Sequence, residues 1–93
     1  MDIVAAVLEV LNDHDPEGLL AMGAPTDEYD AEAAELAVLI PQESPPIEAD
    51  VEEVWRRWFG ESHHLRGDLL RSVTDELRGL HRQSQAAGPG GLH

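Results

Sequence analysis

IEADVEEVWRRWFG, residues 47–60, carries the clearest helical pattern in this chain. Its apolar side chains fall at the spacing of one helix face. They are Val51, Val54, Trp55, Trp58 and Phe59. A start between Ile47 and Asp50 fits the capping-box spacing of Asp50 with Glu53, and Gly60 is a typical helix end. Three of the four aromatic residues share this face, so the helix is expected to bury them together in the core.

The residues after this helix predict a second, longer one. Residues 62–85 place apolar side chains at helical spacing. The inward positions are Leu65, Leu69, Val73, Leu77 and Leu80. Gly67 and Gly79 weaken that helix by about 1 kcal/mol each relative to alanine. Beyond it, the sequence AAGPGGLH at residues 86–93 predicts a short disordered tail.

The front half of the chain predicts two further helices. The first runs from Asp2, its N-cap, to about residue 12. Asp15-Pro16 is typical of an N-cap followed by a first-turn proline, so a short turn is expected to open there. Thr26 or Asp27 would cap the next helix, which runs to about residue 40. Residues 41–46 contain three prolines and form a linker through which the helix cannot continue.

Four helices with short connections, and no strand-like alternation, predict an all-α fold. We expect a small antiparallel bundle of about four helices, made by residues 1–85 as a single helical domain. Residues 86–93 would form the flexible tail.

Charge is unevenly distributed along the chain. Residues 1–55 hold fifteen carboxylates and no Lys or Arg, whereas residues 56–93 hold six arginines and four carboxylates. With a formal net charge of −13, the protein should repel nucleic acid and anionic membranes and attract basic protein surfaces. The arginines are expected to pair with the acidic front half of the same chain.

The same composition indicates a compartment. The absence of cysteine excludes disulfides and thiolate zinc sites. The first residues lack the basic start of a signal peptide, and Glu9 interrupts their apolar run. No run approaches the ~18 apolar residues of a membrane span. The prediction is a cytoplasmic protein.

Two motifs follow one another within residues 12–35, NDHDPEGLLAMGAPTDEYDAEAAE. The first is Asp15, Pro16 and Gly18, and the second is DEYD at residues 27–30. This stretch resembles the small bacterial YugE-like family, a group of domains of unknown function. The WRRWFG segment is similar to that family's third helix and its glycine stop, whereas His14 stands where the family tends to carry tryptophan. The resemblance implies an all-helical cytoplasmic bacterial domain and carries no established activity.

Part of the first motif copies a calcium loop. Asp13, Asp15 and Glu17 precede Gly18 as the first ligands of an EF-hand precede its glycine. Position 12 of that loop, which requires a bidentate glutamate, is Ala24. A capped turn explains these residues more simply, so no calcium loop is predicted.

Asp15, Asp27 and Asp30 are the candidate ligands for a divalent cation, because the turn and the next helix start are neighbours in sequence. They could also share a proton as an acid/base pair. A structural interpretation is simpler: Asp27 caps, Asp30 complements the helix dipole, and Tyr29 hydrogen-bonds to Asp15. We therefore predict no metal and no cofactor, and expect Asp15 and Asp27 to contribute to stability.

Histidines supply the other candidate metal ligands. His64 and Asp68 are four residues apart and can share a helix face, as zinc ligands do. His63 is adjacent, but His81 lies three turns or more further along. Exposed histidines near a helix start are commoner than ligands, so no zinc site is predicted.

No nucleophile elbow or phosphate-binding loop is present, and we predict that the protein is not an enzyme. The leading prediction is a small acidic interaction protein that binds a basic protein partner. Immunity-type neutralisation of a basic toxin or nuclease is its most concrete form. The expected partner-binding residues are Glu28, Glu32, Glu35, Glu52 and Glu53.

Two alternatives belong to other functional classes. One is a metal-binding protein or metal-dependent enzyme that uses Asp15, Asp27 and Asp30. The other is a structural homo-oligomer, such as a homodimer, joined through the Trp55–Phe59 face. Burial of these aromatics in the core is the default, with one indole left partly exposed as a partner surface.

Overall fold

The computed structural model describes residues 2–86, which form four helices and no strand. The helices are α1 (Ile3–His14), α2 (Asp30–Ala37), α3 (Glu48–Phe59) and α4 (Gly67–Ala86). Helix α1 packs against α2 and α4, and α3 also packs against α2 and α4. The predicted all-α fold is therefore confirmed. Ala86 belongs to α4 rather than to a tail, and the rest of the predicted tail lies outside the described residues.

Trp55 is buried in the core, as the pattern of α3 predicts. It is fully buried, and its ring centroid lies 4.9 Å from that of Phe59 and 5.7 Å from that of Tyr29. All four helices contribute buried aliphatic side chains around it. These include Val7, Leu11, Leu36, Val51, Val73 and Leu77. None of the helices within residues 2–86 is long and apolar enough to cross a membrane.

Helix α1 begins as predicted and ends later than predicted. The Asp2 side chain accepts a hydrogen bond from the Ala5 N–H at 3.1 Å. The helix continues to His14 and is closed by Asp15, whose backbone is left-handed (φ 45°, ψ 61°). The prediction that Asp15 is an N-cap is therefore wrong, because Asp15 is the C-cap of α1. Aspartate tolerates this conformation better than most residues other than glycine.

Helix α2 is shorter than the predicted helix, and neither Thr26 nor Asp27 caps it. It begins at Asp30 after Tyr29, which makes no side-chain capping bond. The preceding residues form tight turns: the Glu28 N–H donates to the Pro25 carbonyl, and the Asp30 N–H donates to that of Asp27. The Tyr29 side chain is fully buried. Burial of this large ring holds the chain in turns where the polar residues alone predict a helix.

Helix α4 begins at Gly67, five residues later than predicted. Residues 61–66 form an irregular connection that buries His63 and Leu65 against the core. Arg66 stabilises this connection, because its guanidinium donates to the carbonyls of His63 and Glu61. Gly60 and Gly67 bound the connection with φ values of 77° and 55°, which glycine adopts without strain.

Helix α4 also holds the linker between α2 and α3. Arg78 Nη1 donates to the Pro46 carbonyl at 2.9 Å, and His81 Nε2 donates to the Gln42 carbonyl at the same distance. At the start of α3, the Asp50 carboxylate accepts a hydrogen bond from the Ile47 N–H at 3.3 Å. The linker is thereby fixed to the bundle at both ends.

Candidate functional site

The carboxylate of Asp15 organises the turn that follows α1. Its Oδ1 accepts hydrogen bonds from the Tyr29 hydroxyl at 2.7 Å and from the Leu20 N–H at 3.1 Å. Its Oδ2 accepts one from the Ala21 N–H at 2.9 Å. Both carboxylate oxygens of Asp15 therefore accept hydrogen bonds from within the protein. The bond from the Tyr29 hydroxyl is the one that the structural interpretation of this motif predicts.

Glu17 connects the same turn to the other half of the molecule. Its Oε2 accepts hydrogen bonds from Trp55 Nε1 at 2.7 Å and from the His64 N–H at 2.8 Å, and its Oε1 accepts one from His64 Nδ1 at 2.7 Å. The Glu17 N–H donates to the Tyr29 hydroxyl at 3.0 Å. Asp15, Tyr29, Glu17, Trp55 and His64 thus form one hydrogen-bonded network, which we call the Glu17 network.

Protonation in the network follows from these bonds. Burial raises the pKa of Asp15 and Glu17, but the hydrogen bonds that each carboxylate accepts outweigh it, so both pKa values lie below their usual range. Burial, followed by the hydrogen bond to Asp15, raises the pKa of Tyr29 to about 12. At neutral pH both carboxylates are charged and Tyr29 keeps its proton. These protonation states favour a role for the Glu17 network in stabilising the fold rather than in transferring protons.

The candidate cation ligands lie in different environments. Asp15 is engaged in the Glu17 network, whereas Asp27 and Asp30 are exposed. Within residues 2–86, no three His, Asp or Glu side chains are grouped so that they could hold a metal ion.

The histidines considered as metal ligands have other contacts. His64 bonds to Glu17, and His81 bonds to the linker. His63 is 2% exposed, with its Nε2 atom 3.4 Å from Glu52 Oε2. Asp68 pairs with Arg71 at 2.8 Å. Each of these contacts stabilises the bundle or its connections.

Most of the carboxylates predicted to bind a partner are used inside the protein. Glu35 pairs with Arg57 and accepts a hydrogen bond from Trp58 Nε1 at 2.9 Å. Glu52 lies 3.6 Å from Arg56, and Glu53 lies 3.2 Å from Arg57. The expected pairing of arginines with the acidic half is confirmed for Arg56 and Arg57, whereas Arg71 pairs with Asp68 in the back half.

Glu32 departs furthest from its predicted role as a steering charge. The residue is 6% exposed, and its Oε1 atom is buried without a hydrogen-bond partner among the described residues. Burial, and then the nearby charge of Glu28, raise its pKa. The reason is its position in α2, where it lies on the buried side with Ala33 and Leu36. A buried carboxylate cannot present a charge to a partner.

Substitution of Glu32 with glutamine should stabilise the protein at pH 7 by about 1 kcal/mol, the size of a typical stabilising substitution. Because the pKa is raised in the folded state, the charged carboxylate opposes folding above that pKa, and the penalty disappears below the ordinary value of 4.5. Thermal melting from pH 4 to pH 8 measures the difference in stability between Glu32→Gln and wild type at each pH. Glu9→Gln, at an exposed position, is the control; an equal or lower melting temperature for Glu32→Gln at pH 7 would contradict the expectation.

Several exposed carboxylates make no ion pair with any residue in the described part of the chain, and four of them are close together in the fold: Asp13, Asp27, Glu28 and Asp30. They lie where α1 and α2 are joined. Asn12 Nδ2 donates to the Thr26 carbonyl at 2.9 Å, which holds the end of α1 beside the residues that precede α2. We call this set the acidic corner. Only Glu28 belongs both to this corner and to the predicted partner-binding residues.

An open cleft of about 390 Å³ lies between the start of α3 and the middle of α4. Its lining includes Glu48, Thr74, Asp75 and Arg78. The Thr74 hydroxyl oxygen is closed off from solvent, and the two carboxylates oppose the one cation. Among its lining residues, the cleft therefore offers no well-positioned polar group that a ligand could reach and that would orient it.

The role of Glu17 is the main feature that sequence reasoning missed. Its position after Asp15-Pro16 suggested only a ligand of a calcium-like loop. A signal was nevertheless present, because a buried tryptophan requires an acceptor for its indole N–H.

Comparisons with protein-family models, with curated proteins and with solved structures found no match to this chain.

Proposed function

We propose that this protein is a small acidic interaction module whose partner is a basic protein. The observation that carries the proposal is the acidic corner: four exposed carboxylates at one junction, without internal counterions in the described structure. Clustered free carboxylates steer a basic surface during encounter and favour it over acidic competitors.

The use of the arginines supports the same conclusion. Arg56, Arg57 and Arg71 pair with carboxylates, and Arg66 and Arg78 donate to backbone carbonyls. Five of the six arginines are therefore engaged within the molecule, whose formal net charge is −13. The surface field that remains at the acidic corner is negative, so a cationic partner is favoured over nucleic acid or an anionic membrane.

A narrower form of the proposal is immunity-type binding, in which this module neutralises a basic toxin or nuclease in the cytoplasm of a bacterium. The chemistry of the Glu17 network supports a binding role without catalysis, because its charged groups are saturated by internal hydrogen bonds. Membership of the YugE-like family remains part of this proposal and supplies no activity of its own.

The test is capture of proteins from native lysate at low salt, followed by release with a salt gradient and mass spectrometry. Wild type is compared with Asp13→Lys/Asp27→Lys/Glu28→Lys. The matched control, Glu9→Lys/Glu43→Lys/Asp75→Lys, makes the same charge change at other exposed positions.

Wild type and control should retain the same basic protein, and the corner variant should release it at markedly lower salt. Equal release from all three proteins would show general attraction to an acidic surface and would contradict a role for the corner. Capture of no basic protein by wild type would contradict the proposed function itself.

A further inference from the structure

Helix α2 presents an uncovered apolar face beside the acidic corner. Ala31, Ala34 and Val38 are all exposed, and Val38 is 61% exposed although it is a large aliphatic residue. Residues three, four and seven apart lie on the same side of a helix. The opposite side of α2, with Ala33 and Leu36, is buried. We call the set Ala31, Ala34 and Val38 the α2 outer face.

Trp58 extends this face onto α3. Its Nε1 atom donates to Glu35 Oε1 at 2.9 Å. Glu35 is four residues after Ala31 and three before Val38, so it lies at the edge of the outer face and brings the indole beside it. Trp58 is 48% exposed, whereas Trp55, one turn earlier, is fully buried. The expectation that one indole stays partly exposed is thereby confirmed.

The charge around the face is asymmetric. Asp27, Glu28 and Asp30 lie at the N-terminal end of α2, exposed and without ion pairs among the described residues. At the other edge, Glu35 is already neutralised by Arg57. A ligand that covers the apolar residues therefore meets unpaired negative charge at the N-terminal end of α2.

We propose that the α2 outer face, together with Trp58, docks an amphipathic basic helix of the protein partner. This inference rests on the proposed function and names the surface and the kind of segment that it recognises. Alanines at positions 31 and 34 allow a second helix to approach to the usual interaxial distance of about 8–10 Å. Val38 and the exposed indole offer apolar contact, and lysines or arginines of the segment face the acidic corner.

Charge complementarity selects this occupant over a second copy of the chain. Two copies that met through this face would each bring unpaired carboxylates and a formal net charge of −13. A basic segment instead gains from the same carboxylates. Tryptophan is enriched among residues that dominate binding energy, and its ring also attracts lysine and arginine side chains. Trp58 is therefore the expected anchor.

Two synthetic peptides of about 18 residues test the inference. One arranges leucine, alanine and lysine as an amphipathic helix that is monomeric at the concentration used, and the other has the same composition in a scrambled order. Binding is measured by titration calorimetry and by amide chemical shifts of labelled protein. The surface variants are Val38→Asp and Ala31→Glu, and Met22→Asp is the control because Met22 is 74% exposed and belongs to neither α2 nor α3.

The amphipathic peptide should bind wild type at least tenfold more tightly than the scrambled peptide, with shifts centred on α2 and the Trp58 indole. Val38→Asp and Ala31→Glu should each weaken binding of the amphipathic peptide about tenfold or more, even though they add negative charge. Met22→Asp should leave this binding unchanged or slightly tighter.

Equal affinity for both peptides, or full affinity in both surface variants, would overturn the docking face. If both peptides then bind equally but weaken in Asp27→Asn/Glu28→Gln, the acidic interaction module survives without this face. Failure of the amphipathic peptide to bind overturns the docking face, whereas the proposed function is decided by the lysate capture.

Discussion

Replacement of Trp55 with alanine is expected to lower the free energy of unfolding by about 3–5 kcal/mol, the range for removal of a buried large aromatic residue. Trp55 is fully buried, packs against the tilted rings of Tyr29 and Phe59, and donates its indole N–H to Glu17. Small domains have only about 5–15 kcal/mol of total stability. The variant should therefore lose a large fraction of its stability, which a urea titration followed by circular dichroism measures as a lower midpoint.

The chain contains a matched control for this prediction. Trp58 is in the same helix but is 48% exposed, so Trp58→Ala should cost about 1 kcal/mol. A comparable loss for the two variants would show that Trp55 is not buried in the core.

Substitution of Glu17 with glutamine is expected to cost about 3 kcal/mol at pH 7, because hydrogen bonds to a charged group contribute roughly 1.5–3 kcal/mol each. The carboxylate accepts three such bonds, and its side chain is 9% exposed. Glutamine keeps one acceptor oxygen and directs an NH₂ group at a neighbouring donor. The melting temperature should fall by about 12–24 °C, given about 4–8 °C per kcal/mol for a domain of this size.

The dependence on pH separates this effect from a loss of packing. The folded-state pKa of Glu17 is lowered, so its contribution to stability is present above the ordinary pKa of 4.5 and is lost as pH falls through the lower folded value. The difference between wild type and Glu17→Gln should therefore shrink below about pH 4. A difference that stays constant from pH 7 to pH 3, or a cost no larger than that of Glu9→Gln, would contradict the role of Glu17.

The local chemistry of the sequence was sufficient to predict much of the fold. Periodic apolar residues located α3 and its buried Trp55, Gly60 ended that helix, and Asp2 capped α1. These features depend on neighbours within one or two turns. The all-α architecture followed because the same kind of pattern recurred along the chain.

The predicted helix boundaries were wrong where contacts with distant residues override the local helical preference of the sequence. Residues 27–29 were predicted to be helical, but burial of Tyr29 and its bond to Asp15 hold them in turns. Residues 62–66 were also predicted to be helical, but His63 and Leu65 are buried and His64 is held by Glu17 from across the molecule. Hydrogen bonds between residues that are 12 to 47 positions apart in the sequence leave no signal in the local pattern of residues.

The candidate interaction surface was only partly predictable for the same reason. Charge asymmetry indicated an acidic surface, but it could not distinguish free carboxylates from paired or buried ones. Glu32 is buried and Glu35 is paired with Arg57, so neither can present a free charge to a partner. Among the predicted residues, Glu28 is the one that is exposed and makes no ion pair in the described part of the chain, and it forms the acidic corner with Asp13, Asp27 and Asp30.

The central claim is that the acidic corner is available for binding because the fold does not need its charges. Thermal melting of Asp13→Asn/Asp27→Asn/Glu28→Gln tests this most directly and requires no knowledge of the partner. Asp13 lies near the C-terminal end of α1, where negative charge is unfavourable, and Glu28 lies close enough to raise the pKa of buried Glu32. We expect the melting temperature of this variant at pH 7 to be equal to or higher than that of wild type. A decrease of more than about 4 °C, equivalent to roughly 0.5–1 kcal/mol, would show that these carboxylates hold the structure and would contradict the account.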